Sequence, residues 1–369
     1  MGIDKLLEKK FSAIKEDNFL DITVFDLSTE IKPEYIYIRP ELESVIEPLA
    51  NYLTLGVPEH LLILGGRGTG KTTSIILLVK ELKKFTSREN VKTQPLDKYF
   101  YINARESSTQ REIFEKIIGK SIRGSAFGEV LKELDEKLSG RTILIIDEVD
   151  FLQSNEIFYH ITRSTKVFII AIAQSINWFR SLDSGIQSSF RPTMIFFKDY
   201  DATQLKEILT LRAKAGLKHY DEGGIALISA LVAHDYRGDA RIGIRALYHA
   251  GKQDKWDHET IKKCVEQAAK EIEMYTMNSL SLRDLVILSA LTEQNNTNEA
   301  YDIALNRLKM FSYPLLSKAT YFKTLNYLQN LGLITLIKKR AGRYYTYEAQ
   351  LLIPPNIIIE ELKKRISLT

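Results

Sequence analysis

The residues from Gly65 to Thr73, Gly65, Gly66, Arg67, Gly68, Thr69, Gly70, Lys71, Thr72 and Thr73, are of the types that grip phosphate. They read Gly-x-x-x-x-Gly-Lys-Thr, after an apolar run (Leu61 to Leu64) and before an apolar helical stretch (Ser74 to Leu82). In that strand-loop-helix setting the glycines let the backbone aim several N–H groups at one point, and the helix N-terminus adds its partial positive charge. Lys71 reaches the β- and γ-phosphates, and the hydroxyl of Thr72 is a ligand for Mg²⁺. The expected ligand is therefore ATP or ADP with Mg²⁺.

A second set starts at Thr142-Ile-Leu-Ile-Ile-Asp147-Glu148-Val-Asp150, which resembles the second nucleotide motif of P-loop ATPases. On a strand next to the cradle, Asp147 would hold the Mg²⁺ through water, and Glu148 would orient and deprotonate the attacking water. Asp150 is expected to be a solvated or capping acid. Gln174 follows the apolar run Val167 to Ala173, where its amide could stand between the hydrolytic water and the γ-phosphate. Gly238-Asp239-Ala240-Arg241 joins a turn, an N-cap acid and an arginine in a first helical turn, from which Arg241 could meet the γ-phosphate with its planar fork.

These groups need a scaffold that brings strand ends together. Strands are expected at Leu61 to Leu64, Lys98 to Asn103, Thr142 to Asp147, Val167 to Ala173 and Thr193 to Phe197; a helix that starts at Arg39-Pro40 and ends near Gly56 precedes the first, and helices at Gln110 to Gly119 and Phe127 to Leu138 lie between the second and third. The alternation, with continuous apolar strands, predicts an α/β fold in which helices cover both faces of a parallel sheet. From Asp201 to Met277 the pattern turns all-helical, the pattern of a small lid, and Thr276 to Ser279 reads as a linker. The last ninety residues read as helices at 282–293, 298–309 and 317–331, then strands at 333–338 and 344–348 flanking a turn at 339–343, the order of a winged helix-turn-helix. The expected domains are thus 1–200, 201–277 and 280–369. Of residues 1–32, the charged segment Lys5 to Lys15 looks helical and 20–25 alternates apolar with polar.

Composition narrows the class. The 369 residues carry a net charge of only +4, but the 12 Lys and Arg from Ser279 to Thr369 face 7 Asp and Glu, against 39 and 40 before them. The positive excess is C-terminal, where a nucleic acid would be held. A lone cysteine, Cys264, excludes an internal disulfide and is expected on the apolar side of a helix in a reducing cytoplasm. No apolar run approaches the roughly 20 residues a membrane helix requires. In the third C-terminal helix, Lys318, Thr320, Tyr321, Lys323, Thr324 and Asn326 form a polar set that could face a major groove, opposite a core stripe of Ala319, Phe322, Leu325 and Leu328. The hairpin adds Lys338, Lys339, Arg340 and Arg343, fit to hold phosphates or enter a minor groove.

Cradle, Asp-Glu strand end, Gly-Asp-Ala-Arg lid and terminal winged helix, in that order, resemble the archaeal origin-recognition and cell-division-control initiators, a family of AAA+ ATPases with a C-terminal winged helix. The resemblance covers about Pro33 to Glu348. It implies an ATP- or ADP-bound replication initiator, cytoplasmic and nucleoid-associated in a prokaryote. Origin duplex would be bound through the winged helix and through a helical insertion corresponding to about Ile117 to Phe127, where Lys120 and Arg123 are candidate phosphate contacts. Other initiator subunits and the replicative helicase are the implied partners. Three departures stand out: Gln174 where the family has Asn, Gly185 where it carries an arginine acting on a neighbour's nucleotide (Arg191 is near but out of register), and Ile38-Arg39-Pro40-Glu41 in place of His-Arg-Glu. They imply slow hydrolysis, with nucleotide serving mainly as a structural ligand. Other classes that keep the same nucleotide site are a transcriptional regulator reading a promoter and a transposition or loader ATPase binding a protein.

Overall fold

The computed structural model describes residues 18–27, 33–91, 93–164, 166–311, 313–314, 316–341 and 344–367. The expected helix at Lys5 to Lys15 lies outside them. The chain divides into two compact units, one reaching Glu266 and the other running from Gln267.

In the first unit, α1 (Glu41–Leu55) precedes β1 (Leu61–Gly65), and α2 (Lys71–Thr86) leads to β2 (Lys98–Asn103). Next come α3 (Gln110–Ile118), α4 (Phe127–Lys137), β3 (Thr142–Asp147), α5 (Glu156–Ser164) and β4 (Phe168–Ala173). Two short helices, α6 (Ile176–Arg180) and α7 (Ser184–Phe190), precede β5 (Thr193–Phe197). The strands form one parallel sheet in the order β2-β3-β4-β1-β5. The Asp147 strand is separated from β1 by β4, yet its carboxyl end reaches the cradle, where Thr72 bonds Asp147.

Alternation along β1 splits the core in two. Leu61 and Ile63 pack with Val45, Leu49 and Tyr52 of α1 and with Ile75 and Val79 of α2. Leu62 and Leu64 join Ile113, Phe114, Phe158 and Phe190 on the other face. A central parallel strand must bury both faces, which explains the unbroken apolar runs. At the edge β5 the pattern loosens, and Phe196 is exposed.

The unit continues with α8 (Ala202–Gly216), α9 (Glu222–Asp235), α10 (Ala240–Gly251) and the first part of α11 (His258–Asn278), whose residues from Gln267 belong to the second unit. Asp201, Asp221 and Asp239 cap the first three with their carboxylates. Residues 20–25 do not form a strand. Asp21 caps a 3₁₀ turn, Ile22–Phe25, whose Val24 and Phe25 bury against Gly216 of α8, and Arg212 donates to the Val24 carbonyl. Thr276 to Ser279 is not a free linker. Helix α11 runs to Asn278, with Met277 fully buried and the Thr276 hydroxyl donating back to the Ile272 carbonyl at 3.1 Å. Cys264 lies buried on α11, as its neighbours predicted.

The second unit holds α12 (Leu282–Ala290), α13 (Thr297–Met310), α14 (Lys318–Asn330), the antiparallel pair β6 (Ile334–Ala341) and β7 (Tyr344–Leu351), and α15 (Pro355–Ile366). Ser281 opens α12 with a capping box to Asp284. The hairpin strands are longer than their sequence suggested. Ala341 pairs with Tyr344, so Lys339 and Arg340 lie on β6 and not in the turn. Helix α15 was not anticipated. Its Glu361 and Arg365 pair at 2.9 Å, and Arg365 also donates to the Leu280 and Asn278 carbonyls at 3.0 and 2.8 Å. No helix among the described residues is long and apolar enough to cross a membrane.

Candidate nucleotide and DNA sites

The cradle is built by its neighbours as much as by its own glycines. Gly70 takes a left-handed φ of 76° as the N-cap of α2. At Gly68, φ +69°, any Cβ would run into the Asp239 carboxylate, so the loop and the start of α10 meet without side chain between them. The Ala240 N–H donates to the Gly68 carbonyl at 3.3 Å, which lays the lid helix directly on the loop. Thr69 is buried and turned inward, donating to the Gly66 carbonyl at 3.0 Å. Thr73 is exposed on the first turn of α2.

Lys71 folds over the loop, its ammonium donating to the carbonyls of Gly65 at 2.8 Å and Gly66 at 2.6 Å. Burial pushes it down to about 8, against the attraction of Asp147 and Asp150. The Thr72 hydroxyl donates to Asp147 at 2.8 Å, so the two expected metal-site residues converge. Asp147 is 3 % exposed and also accepts from the Tyr101 hydroxyl at 3.0 Å and the Glu148 N–H at 2.8 Å. Burial raises its carboxyl above the usual range despite those donors. A hydroxyl and one buried carboxylate are hard oxygen donors that suit Mg²⁺, which keeps several waters and relies on substrate phosphates instead of an all-protein cage. The described residues hold no cluster of three or more carboxylate, His or Cys side chains that could hold a metal ion.

Glu148 follows with φ 52° and points its carboxylate at Arg105, 2.7 Å away. Burial raises Glu148, and Arg105 opposes that rise. Asp150 is not a solvated acid. It accepts the Gln174 N–H at 2.8 Å, and burial lifts it to about 6. Asp150 thus ties the turn after β3 to the end of β4, where Gln174 sits. Arg241 pairs with Asp239 at 2.5 Å, and its charge is also felt by Glu148 and Arg67. Burial disfavours the Arg241 cation, yet the bonds and charge of Asp239 leave its pKa raised.

Sequence reasoning missed the support around these groups. Arg39, 1 % exposed, donates to the carbonyls of Thr69 at 2.5 Å and Lys198 at 2.8 Å, and its fork meets both oxygens of Glu41 at 3.1 and 2.8 Å. Its guanidinium also lies 4.2 Å from the ring centre of Tyr200. Arg105 could not be paired with Glu148 from sequence, because their approach is set by the β2–β3 register, in which Asn103 faces Asp147.

The expected DNA residues divide. Lys318 and Lys323 are exposed on α14, and Lys338, Lys339 and Arg340 are exposed on β6, with Lys339 paired to Glu348 at 2.6 Å. Thr320 is half-buried and bonded to the Ser317 cap at 2.9 Å. Tyr321 and Thr324 do not face out. Both are buried, and Ala319 is exposed. The core stripe is Tyr321, Leu325, Leu328 and Leu331, because Tyr321 stacks edge-on against Tyr301, 5.1 Å between ring centres. Arg343 lies outside the described residues. Residues 119–126 form a loop and not a helical insertion, since Gly119 and Gly124 adopt left-handed φ of 87° and 82°. There Lys120 is paired with Glu133 at 2.8 Å, and Arg123 is exposed with its N–H on the Ser121 hydroxyl at 3.5 Å.

A family model described as an AAA domain matches residues 57–202. An ORC1-type DNA replication protein of Pyrococcus abyssi is 27% identical over 392 residues, covering 96% of this chain and 92% of that protein. One from Thermococcus onnurineus is 28% identical over 354 residues, covering 86% of this chain and 84% of the relative. In fold, the chain is similar to the ORC1 protein of Aeropyrum pernix solved in complex with DNA, with TM-score 0.70, 24% identity, and coverage of 95% and 98% of the two chains. The ORC2 protein of the same organism, solved in ADPNP and ADP complexes, gives TM-score 0.60 at 22% identity, with coverage of 95% and 99%. Cradle, Thr72–Asp147 pair and lid on a five-stranded parallel sheet define a P-loop ATPase of the AAA+ class. Over nearly its whole length, the chain is similar to archaeal ORC1-type DNA replication proteins, and it shares their fold.

Proposed function

We propose that this chain is a replication initiator that binds ATP or ADP with Mg²⁺ at Gly65–Thr73, hydrolyses ATP slowly, and holds duplex DNA at an origin through the C-terminal unit. The observation that carries the nucleotide half is the Thr72 hydroxyl 2.8 Å from Asp147 beside a buried Lys71. When bound, the metal would neutralise phosphate charge, with Thr72 as ligand and Asp147 holding it through water. Glu148 is the general base, and its bond to Arg105 at 2.7 Å must loosen for it to take a proton, which supports slow turnover. Arg241, at the head of α10 on the cradle, would sense the γ-phosphate and carry that state into the lid. Gln174, held through its backbone by Asp150, would orient the water.

For the DNA half, the relatives are named for replication over nearly their whole length, and exposed cations lie on α14 and β6. Lys318 and Lys323 would contact the major groove or its phosphates, and Lys338, Lys339 and Arg340 would grip the backbone. Lys120, Arg123 and Arg343 are weaker candidates on the same reading. Fluorescence anisotropy with origin-derived and random duplexes, with and without ATP, tests the proposal. Tighter binding to the origin duplex supports it, and no binding to either at low salt removes the DNA claim.

A further inference from the structure

We propose that Arg67 is a catalytic arginine supplied by the cradle itself, its guanidinium meeting the γ-phosphoryl group as ATP is hydrolysed. The inference rests on the nucleotide reading above and gives one of its residues a part in the reaction.

Arg67 stands between Gly66 and Gly68, in the loop that would hold the phosphates. Its Nη2 atom is buried and has no hydrogen-bond partner. An unanswered guanidinium nitrogen is costly to bury. Its surroundings make it costlier, for the cations of Arg105 and Arg241 lie within electrostatic reach, with Glu148 and Asp239 opposing them. Burial first, then those two cations, push Arg67 down to about 10. The other two are answered: Arg105 by Glu148 at 2.7 Å, and Arg241 by Asp239 at 2.5 Å. Arg67 is left with a free donor, one of three guanidiniums within electrostatic reach of the general base. A highly charged phosphoryl group would answer that donor and offset the repulsion among the cations.

In the step itself, the water oxygen bonds to the γ-phosphorus while the bond from phosphorus to the bridging oxygen breaks. The water proton passes to the Glu148 carboxylate. Negative charge gathers on the bridging and equatorial oxygens, and the Arg67 fork donates to them. ADP lacks the γ-phosphoryl group, so Arg67 should discriminate between the two nucleotides and leave ADP binding largely alone.

The test compares the parent with Arg67→Ala and Arg67→Lys in single-turnover ATP hydrolysis and in titrations with ADP and with ADPNP. Arg67→Ala should slow hydrolysis by about 10²-fold or more, as loss of a charge-stabilising donor does. It should weaken ADPNP by about tenfold, the worth of one charged hydrogen bond, with ADP within about threefold. Arg67→Lys should recover ADPNP binding but little of the rate, since an ammonium cannot fork. Melting curves that match the parent's establish that both variants are folded. Equal losses of ADP and ADPNP, or no loss of rate, overturn the proposal while leaving the cradle intact. A parent that binds neither nucleotide removes the underlying reading as well.

Discussion

Replacing Arg39 with alanine should be among the most damaging single changes in the first unit. The side chain is 1 % exposed and reaches two carbonyls, Thr69 and Lys198, at 2.5 and 2.8 Å. Leaving two buried acceptors without donors costs about 1 kcal/mol each at the low end. Glu41, 17 % exposed, loses its bidentate partner, and the guanidinium leaves the Tyr200 ring 4.2 Å away. Together those losses add about 2 kcal/mol. The expected destabilisation is about 4 kcal/mol, or on the order of 10 °C in melting temperature for a unit of this size. Because Glu41 is the residue orphaned, Arg39→Ala/Glu41→Ala should cost less than the sum of the single changes by about 1 kcal/mol or more. Differential scanning calorimetry of the full chain, with and without ADP, measures both quantities. A loss below about 1 kcal/mol, or strict additivity, would refute the view that this buried pair braces the cradle.

Two further predictions concern buried polar groups. His60 accepts the Ile169 N–H at 3.2 Å through Nδ1 and stacks on Phe190, and burial drives it from 6.5 down to about 4. A depressed folded-state value means that stability is complete above about 6.5 and is lost as pH falls toward 4, by up to about 3 kcal/mol. Asp150, lifted to about 6, pulls the other way over that range, so the comparison is between parent and variant. Denaturant melts at several pH values should show His60→Gln with a shallower loss of stability between pH 6 and pH 4.5, and parallel curves would contradict this. Tyr321→Phe should leave stability equal or slightly higher and duplex affinity unchanged, because the buried hydroxyl has no partner. A clear loss of DNA affinity in anisotropy would put Tyr321 back on the DNA face.

What the sequence disclosed was what local chemistry dictates. The cradle is one contiguous motif, and the strands of the sheet are unbroken apolar runs because both faces are covered. The cap at Asp239 obeys near-neighbour rules and could be read directly. Features set by contacts between distant segments could not. Arg39 looked like a helix start, yet its partners lie 30 and 159 residues away. The Arg105–Glu148 pair depends on the β2–β3 register. On α14, two stripes of similar polarity competed, and contact with Tyr301 turned Tyr321 inward. Short helices such as α6 and α7 carry too few turns for a periodic signal, and their aromatic residues Trp178 and Phe190 show their purpose only when packed on Phe158.

The most direct test titrates ADP, in the presence of Mg²⁺, into the parent and into Lys71→Ala by isothermal calorimetry. Saturable binding of one nucleotide per chain, weakened at least tenfold by removal of an ammonium buried against the loop, is the predicted result. Equal affinities in the two proteins, or no heat in either, would contradict it.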